Sequence, residues 1–310
     1  MEKKIIFIHQ NKAHLPEIEA YKKYFGSHGF ETHDIVYQDL VKKDISSFEN
    51  IILWYFMGFY PRKINAKLVI HDYRSLSTGR IAKAKDYLKR ILNFKPHLRI
   101  FLNEEVRKNF SFDDGIPYLT IDMGLPLSIV NYIDLDTKPK YDFIYVGAVS
   151  YEREIHKLIK KFIARYGDSK SLLLVGMFDP KLKKEFDSFQ NIIFTGKISQ
   201  EEVFKFIKES GYSICIIPNK YPHSLQTPTK LLEYLALKSK IIVNRNPMVL
   251  KILKETNNIN NVFIMDENWN LPEQNILKSI RPSSICVEYF LWDAILKRSG
   301  ILEEIEKIPL

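Results

Sequence analysis

Short apolar runs rich in β-branched and aromatic residues alternate with stretches whose apolar positions recur every three to four residues, along most of the chain. The first periodicity predicts buried strands and the second amphipathic helices, and their alternation predicts parallel sheets built from βαβ units. In the first half the strands are expected at 4–9 (KIIFIH), 31–37, 50–56 (NIILWYF), 67–72 (KLVIHD), 98–103 and 118–123, with helices at 15–28, 79–93 and 103–110. The pattern fails between Gly124 and Lys140, where prolines appear as a linker requires. A second series follows, with strands at 141–147 (YDFIYVG), 171–176, 191–196, 212–218, 239–244 and 261–266. Helices separate them at 152–166, 179–187, 199–210, 228–238 and 247–255, and SICVEYFLWDAILKRSGILEEIEKI closes the chain as a helix. The expectation is two doubly wound α/β domains, 1–128 and 141–285, joined by a linker at 129–140, with strand ends facing a cleft where ligands bind.

A length of 310 residues suits two such domains. No apolar stretch approaches the roughly 18 residues that span a bilayer, and the run at Ile5–Ile8 is shorter than a signal segment, so a cytoplasmic protein is expected. Cys215 and Cys286 lie far apart and outside any CxxC spacing, which reads as two buried inert thiols. The formal charge of +9 is localised: residues 62–108 hold thirteen Lys or Arg against four acids, and the rest of the chain balances, 33 against 33. Such a band tracks nucleic acid, lies on anionic lipid at the inner face of a membrane, or is an ordinary solvated face. Ahead of it, Trp54, Phe56, Phe59 and Tyr60 suit a lipid-linked acceptor as well as a core.

Several chemistries are excluded by spacing. There is no GxGxxG for a dinucleotide, no glycine at P-loop distance before Gly196-Lys197, no HExxH pair and no GxSxG elbow. The Asp-x-Asp at 134–136 lies in the linker, and no metal is expected.

The stretch QTPTKLLEYLALKSKIIVNR, Gln226–Arg245, is the most informative. Thr227 suits an N-cap and Pro228 a first helical position, leaving the amides of Thr229 and Lys230 at the positive end of the helix dipole. At 100° per residue Leu231, Leu232 and Leu235 share one face, while Thr229, Lys230 and Glu233 fall on another. Glu233 thus stands one turn behind an anion site, placed to accept hydrogen bonds from a ribose diol. An exposed glutamate on an ordinary capped helix is the competing reading.

With the strands ending in Gly196 and Pro218, the SQEEV helix start and the KIIV strand, residues 140–265 resemble the donor-binding half of GT-B glycosyltransferases, particularly glycosyltransferase family 4. The first half is similar only in its element order. The resemblance implies two Rossmann-like domains, with the terminal helix, 286–310, crossing back onto the first. It implies a nucleoside diphosphate sugar as donor, a glycan or glycolipid as acceptor, retention of configuration and no metal or other cofactor. Glu233 is then expected on the ribose, and Lys230 and Thr229 on the diphosphate, beside Thr227. Lys197 and Ile198 are expected at the base, and Gly147 and Pro218 at the donor-side strand ends. Two departures matter: Leu225 stands where the family has the first of two glutamates, and Ala148 where it has an arginine, which leaves Arg153 as the candidate for the pyrophosphate, with an ordinary surface arginine as the competing reading. In the first half, His9, Asn11 and Lys12 follow the first strand on the acceptor side, and His71 and Asp72 end the fourth strand as catalytic candidates, a buried histidine paired with the adjacent loop being the competing reading. A nucleotide-sugar epimerase using His71 and Asp72, and a non-catalytic nucleotide-sugar or nucleic-acid binding protein, are the alternatives, with nucleic acid disfavoured.

Overall fold

The computed structural model describes residues 3–11, 15–42, 48 and 50–307. By contacts the chain divides into two compact units, Met1–Pro126 with Leu225–Thr227 and Glu288–Leu310, and Leu127–Ser224 with Pro228–Val287.

The first unit contains β1 (Lys3–His9), α1 (Pro16–Ser27), β2 (Phe30–Val36), α2 (Tyr37–Leu40), β3 (Ile51–Phe56), β4 (Leu68–Tyr73), α3 (Ala82–Leu92), β5 (Leu98–Phe101), α4 (Glu104–Phe110) and β6 (Tyr118–Thr120). Its six strands are all parallel, in the order β2-β1-β3-β4-β5-β6. Because side chains alternate across a strand, an unbroken apolar run must be covered on both faces. Here Ile5, Phe7, Ile52 and Trp54 enter one core with Tyr21 and Phe25 of α1, while Ile6, Ile8, Leu53 and Tyr55 enter another with Leu40, Tyr60 and Ile64.

The second unit contains β7 (Tyr141–Val146), α5 (Ile155–Tyr166), β8 (Leu172–Val175), α6 (Pro180–Glu185), β9 (Ile192–Gly196), α7 (Gln200–Lys208), β10 (Ser210–Cys215), α8 (Thr229–Ala236), β11 (Ile241–Val243), α9 (Pro247–Glu255), β12 (Phe263–Ile264) and α10 (Gln274–Ser279). Its sheet is again parallel, ordered β12-β11-β10-β7-β8-β9. Helix starts follow from their caps: Ser199 and Glu202 form a capping box on α7, and Asn246 accepts from the amides of Met248 and Val249 ahead of Pro247 in α9. Residues 127–140, read from sequence as mostly linker, cluster with this unit. Their 3₁₀ turn Leu127–Tyr132 packs on α7, and Lys208 donates to the Ile133 carbonyl at 2.9 Å.

The expected terminal helix is three, α11 (Val287–Phe290), α12 (Trp292–Ser299) and α13 (Ile301–Glu306), broken where Leu291 is extended and Gly300 has a positive φ of 70°. α12 packs on α1, and Trp292 meets Tyr21 edge-on at 5.9 Å. A Cβ on Gly124 would stand 2.5 Å from the Trp292 ring, so that glycine is what lets the indole lie flat against the chain. Of the two thiols, Cys215 is buried and its pKa is pushed up to about 11, whereas Cys286 is exposed, correcting the expectation of two buried cysteines.

Replacing Trp292 by Ala removes the largest side chain by which α12 enters the core. A loss of about 3–5 kcal/mol is expected in urea denaturation, confined to the first unit. Unchanged stability would mean that α12 is only draped on α1.

Candidate functional site

In the second sheet the chain order reverses between β7 and β10, so the loops leaving their carboxyl ends diverge and leave a crevice. Three adjacent strands end there in glycine, Gly147, Gly176 and Gly196, with φ of 135°, 131° and 75° that disfavour other residues. Their backbones meet closely. The Gly147 amide donates to the Val175 carbonyl at 2.8 Å and the Gly176 amide to Gly196 at 3.0 Å, and a Cβ on Gly176 would fall 2.3 Å from the Gly147 carbonyl oxygen.

Above this floor lies Lys230 in the first turn of α8. Its Nζ donates to the Ile216 carbonyl at 2.9 Å, sits 4.0 Å from the centre of the Tyr145 ring, and stands 3.8 Å from where a Gly147 Cβ would be. Burial pulls its pKa down to about 8; Arg153 acts the same way, and Cys215 and Glu233 oppose it. Arg153, on the loop after β7, points Nη1 at His223 Nδ1, 3.3 Å away. Burial first, then Arg153, Lys220 and Lys230, depress His223 to about 4, so its imidazole is neutral and can accept from the guanidinium. Two cations therefore converge at the uncapped start of α8, an arrangement that suits a multiply charged anion.

Glu233 is buried one turn further on, and its Oε1 accepts from Gln200 Nε2 at 2.8 Å. Desolvation raises its pKa to about 7 against the lowering by Gln200 and Lys230. The bond from Gln200 also brings the β9–α7 loop to α8, and with it exposed Lys197 and half-buried Ile198. Pro218 is buried, its carbonyl accepting from Asn246 Nδ2 at 3.4 Å.

Thr227 departs from expectation. The N-cap position is Pro228, no side chain caps α8, and the Thr227 hydroxyl accepts from Asn103 Nδ2 at 3.3 Å within the first unit's cluster. Proline has no side-chain oxygen to accept from the first-turn amides, and Thr227 stands one residue outside the N-cap, where its hydroxyl meets Asn103. Sequence reasoning missed His223, Gln200 and Tyr145. A histidine in an irregular loop, a glutamine after a capping serine and a tyrosine in a strand carry no local signal; only the fold assembles them.

In the first unit Asn11 lines an open cavity of about 660 Å³ with Gln10, Phe59, Arg74, Lys85 and Lys89, among others. His9 turns away, with Nε2 3.4 Å from Asp34 of β2 and Nδ1 accepting from the Asn11 amide. Lys12 lies outside the described residues. His71 and Asp72 correct the expectation of an accessible strand tip, since both are fully buried. His71 is boxed by Tyr55, Tyr73 and Phe94, and burial depresses its pKa to about 3. Asp72 accepts from Trp54 Nε1 at 3.1 Å, and desolvation raises it to about 7. The strand is apolar on both faces, so its terminal polar residues are enclosed with it.

The architecture aligns over 99% of this chain and 100% of Anabaena HepE, solved with UDP and glucose, at a TM-score of 0.70. The fold is that of GT-B glycosyltransferases. AviGT4, a glycosyltransferase involved in avilamycin A biosynthesis, aligns over 99% of this chain and 98% of its own at 0.62. A DNA-modifying β-glucosyltransferase, studied with and without uridine diphosphoglucose, aligns over 99% and 100% at 0.51. Sequence identities are 12%, 10% and 14%, so the likeness to these GT-B structures is one of fold. No family model and no curated protein matches the sequence.

A carboxyl held at about 7 in the folded chain and near 4.5 in the unfolded one makes stability pH-dependent. The favourable protonated state is fully available below about 4.5, and the penalty of ionising a buried group grows until pH passes about 7. Glu233→Gln is therefore expected to gain on the order of 3 kcal/mol relative to wild type between pH 4.5 and pH 8. Parallel denaturation curves at both pH values would sink that account of Glu233.

Proposed function

We propose that this chain is a glycosyltransferase of the family 4 type that moves a sugar from a nucleoside diphosphate sugar to a glycan or glycolipid acceptor. The observation that carries the reading is the pairing, on one helix at the sheet's reversal point, of an uncapped N-terminus and Lys230 with a buried Glu233 one turn behind. Diphosphate spans the first part, and the ribose diol bonds the second. The loop at Lys197 and Ile198 receives the base. HepE was solved with UDP, which makes UDP the first nucleotide to test.

Catalysis on this reading is positional and electrostatic. Charge accumulating on the departing diphosphate is met by Lys230, Arg153 and the amides of Thr229 and Lys230, all held before the donor arrives. Lys230 is steadied by a carbonyl and an aromatic face, neither of which neutralises it, so its charge stays available to an anion. Retention of configuration, independence of metal and hexosyl specificity are parts of the proposal that follow from the family 4 resemblance. Leu225, in place of a glutamate, supplies no carboxylate to the transferred sugar, whose recognition then falls to other groups.

The epimerase reading needs an acid and a base facing the sugar. His71 and Asp72, the residues named for it, are enclosed in the first core.

Thermal-shift titration tests the reading, because a ligand that binds only the native state raises the melting midpoint. UDP or another nucleoside diphosphate should stabilise the wild type, Arg153→Ala should weaken binding about tenfold to a hundredfold, and Glu233→Ala should abolish most of the shift while remaining folded. Affinity should peak where Glu233 is ionised and Lys230 protonated, between about 7 and about 8, and fall on both sides. Absence of any shift with uridine, guanosine, cytidine and adenosine nucleotides would refute the assignment. Nucleotide release that depends on an added acceptor then separates a transferase from a binding protein.

A further inference from the structure

Helix α3 is inside out. Only Ala82 and Asp86 are buried, and Asp86 accepts from the Ser77 amide with both carboxylate oxygens at 3.0 Å and from Lys89 Nζ at 3.4 Å. Just before and along the helix, large apolar side chains face water: Ile81 is 63% exposed, Tyr87 60%, Leu88 46%, Ile91 53% and Leu92 47%. At 100° per residue Ile81, Ala84, Leu88, Ile91 and Leu92 form one stripe with Tyr87 at its margin. Lys85 runs along one edge of it, beside Lys89, which is paired with Asp86, and Lys83 and Arg90 lie along the other. A helix packed on a sheet ordinarily turns such a stripe inward. Here it is presented outward between two rows of cations, the pattern of a helix lying in the plane of a membrane interface.

We propose that α3 docks the chain on an anionic lipid surface, with its apolar stripe in the headgroup boundary and its cations among the lipid phosphates. Charge decides between occupants. The net +9 of the chain resides in residues 62–108; Arg74 and Arg99 of that band are buried and paired, but Lys83, Lys85 and Arg90 flank the stripe, so a second copy applied to this face would set like charge against like. An apolar stripe, in turn, adds nothing to contact with a nucleic-acid backbone. An anionic bilayer satisfies both features at once.

The stripe is continuous with the first unit's cavity. Leu88 and Leu92 belong to both, and Lys85, Lys89 and Arg74 line the same space. A docked α3 thus places that cavity at headgroup level, where it takes the phosphate and first sugar of a lipid-linked acceptor; this half of the inference rests on the transferase reading, and the docking does not.

Sedimentation of the full chain with vesicles tests it, using phosphatidylcholine alone or with about a third phosphatidylglycerol. Binding is expected only to the anionic vesicles, weakening as salt rises. The triple variant Ile81→Ser, Tyr87→Ser, Ile91→Ser, whose targets are exposed and outside the cavity lining, should partition about tenfold less or weaker still, with its UDP-induced thermal shift unchanged. No binding to anionic vesicles, equal binding to both compositions, or equal binding by the triple variant would each overturn the proposal. So would a wild-type dimer in light scattering that the triple variant dissociates, since the stripe would then be covered by another copy. Vesicle binding without a nucleotide shift would leave docking standing and remove the transferase reading; a nucleotide shift without vesicle binding would do the reverse.

Discussion

The second unit's candidate site depends on an exclusion of side chains. Where β7, β8 and β9 end, the Gly147 carbonyl lies so near Gly176 that no Cβ fits, and Gly147 itself adopts a φ of 135°. Three consecutive strand tips are thereby bare backbone, laced by amide-to-carbonyl bonds. The floor is rigid because it is hydrogen-bonded, and shallow because nothing projects from it. Lys230, Arg153 and His223 can then gather over it from α8, the β7 loop and the loop after β10, elements distant in sequence. A side chain at Gly147 would take the volume beside the Lys230 ammonium and strain the turn together.

The first unit treats strand-end polarity in the opposite way. Arg74 follows β4 and lies 3.5 Å from Glu17 of α1, and it donates to the carbonyls of Ile121 and Asp122. Its guanidinium also faces the Trp292 ring at 5.8 Å. With Asp72 bonded to Trp54, these charges pin α1, β3, β4 and the terminal helices to one another. Burying them is costly unless they are paired, and the pairing is specific to this packing. The residues that a strand-tip argument assigns to chemistry are here part of the frame.

How much was legible follows from this contrast. Both parallel sheets and nearly every strand could be read from sequence, because a strand buried on both faces must be an unbroken apolar run, and few other structures need one. The face of α8 that carries Lys230 and Glu233 was legible too, since helical geometry fixes it from spacing alone. Burial was not. Glu233 fits an exposed face by spacing, yet α7 covers it through Gln200. His71 and Asp72 stand at a strand end by count, yet neighbouring aromatics enclose them. Thr227 has the chemistry of a cap, and Asn103 claims it first. α3 shows the same limit from the other side: periodicity predicts a helix over 79–93, while which way its apolar stripe turns depends on what else can cover it. Each failure concerns a tertiary partner, which local pattern cannot name.

The opposed titrations of Glu233 and Lys230 have a consequence for how the site exchanges protons. At neutral pH the carboxyl is about half protonated and the ammonium mostly retains its proton, and midway between pH 7 and 8 both are partly titrated. A diphosphate draws a proton onto Lys230, while a ribose diol favours its departure from Glu233. On the proposed reading the two halves of one nucleotide make these opposite demands together, so what one residue gives up offsets part of what its neighbour takes. Midway between the two values the nucleotide would then bind with little net exchange of protons with the buffer, although each of its parts, bound alone, would trade about a quarter of one.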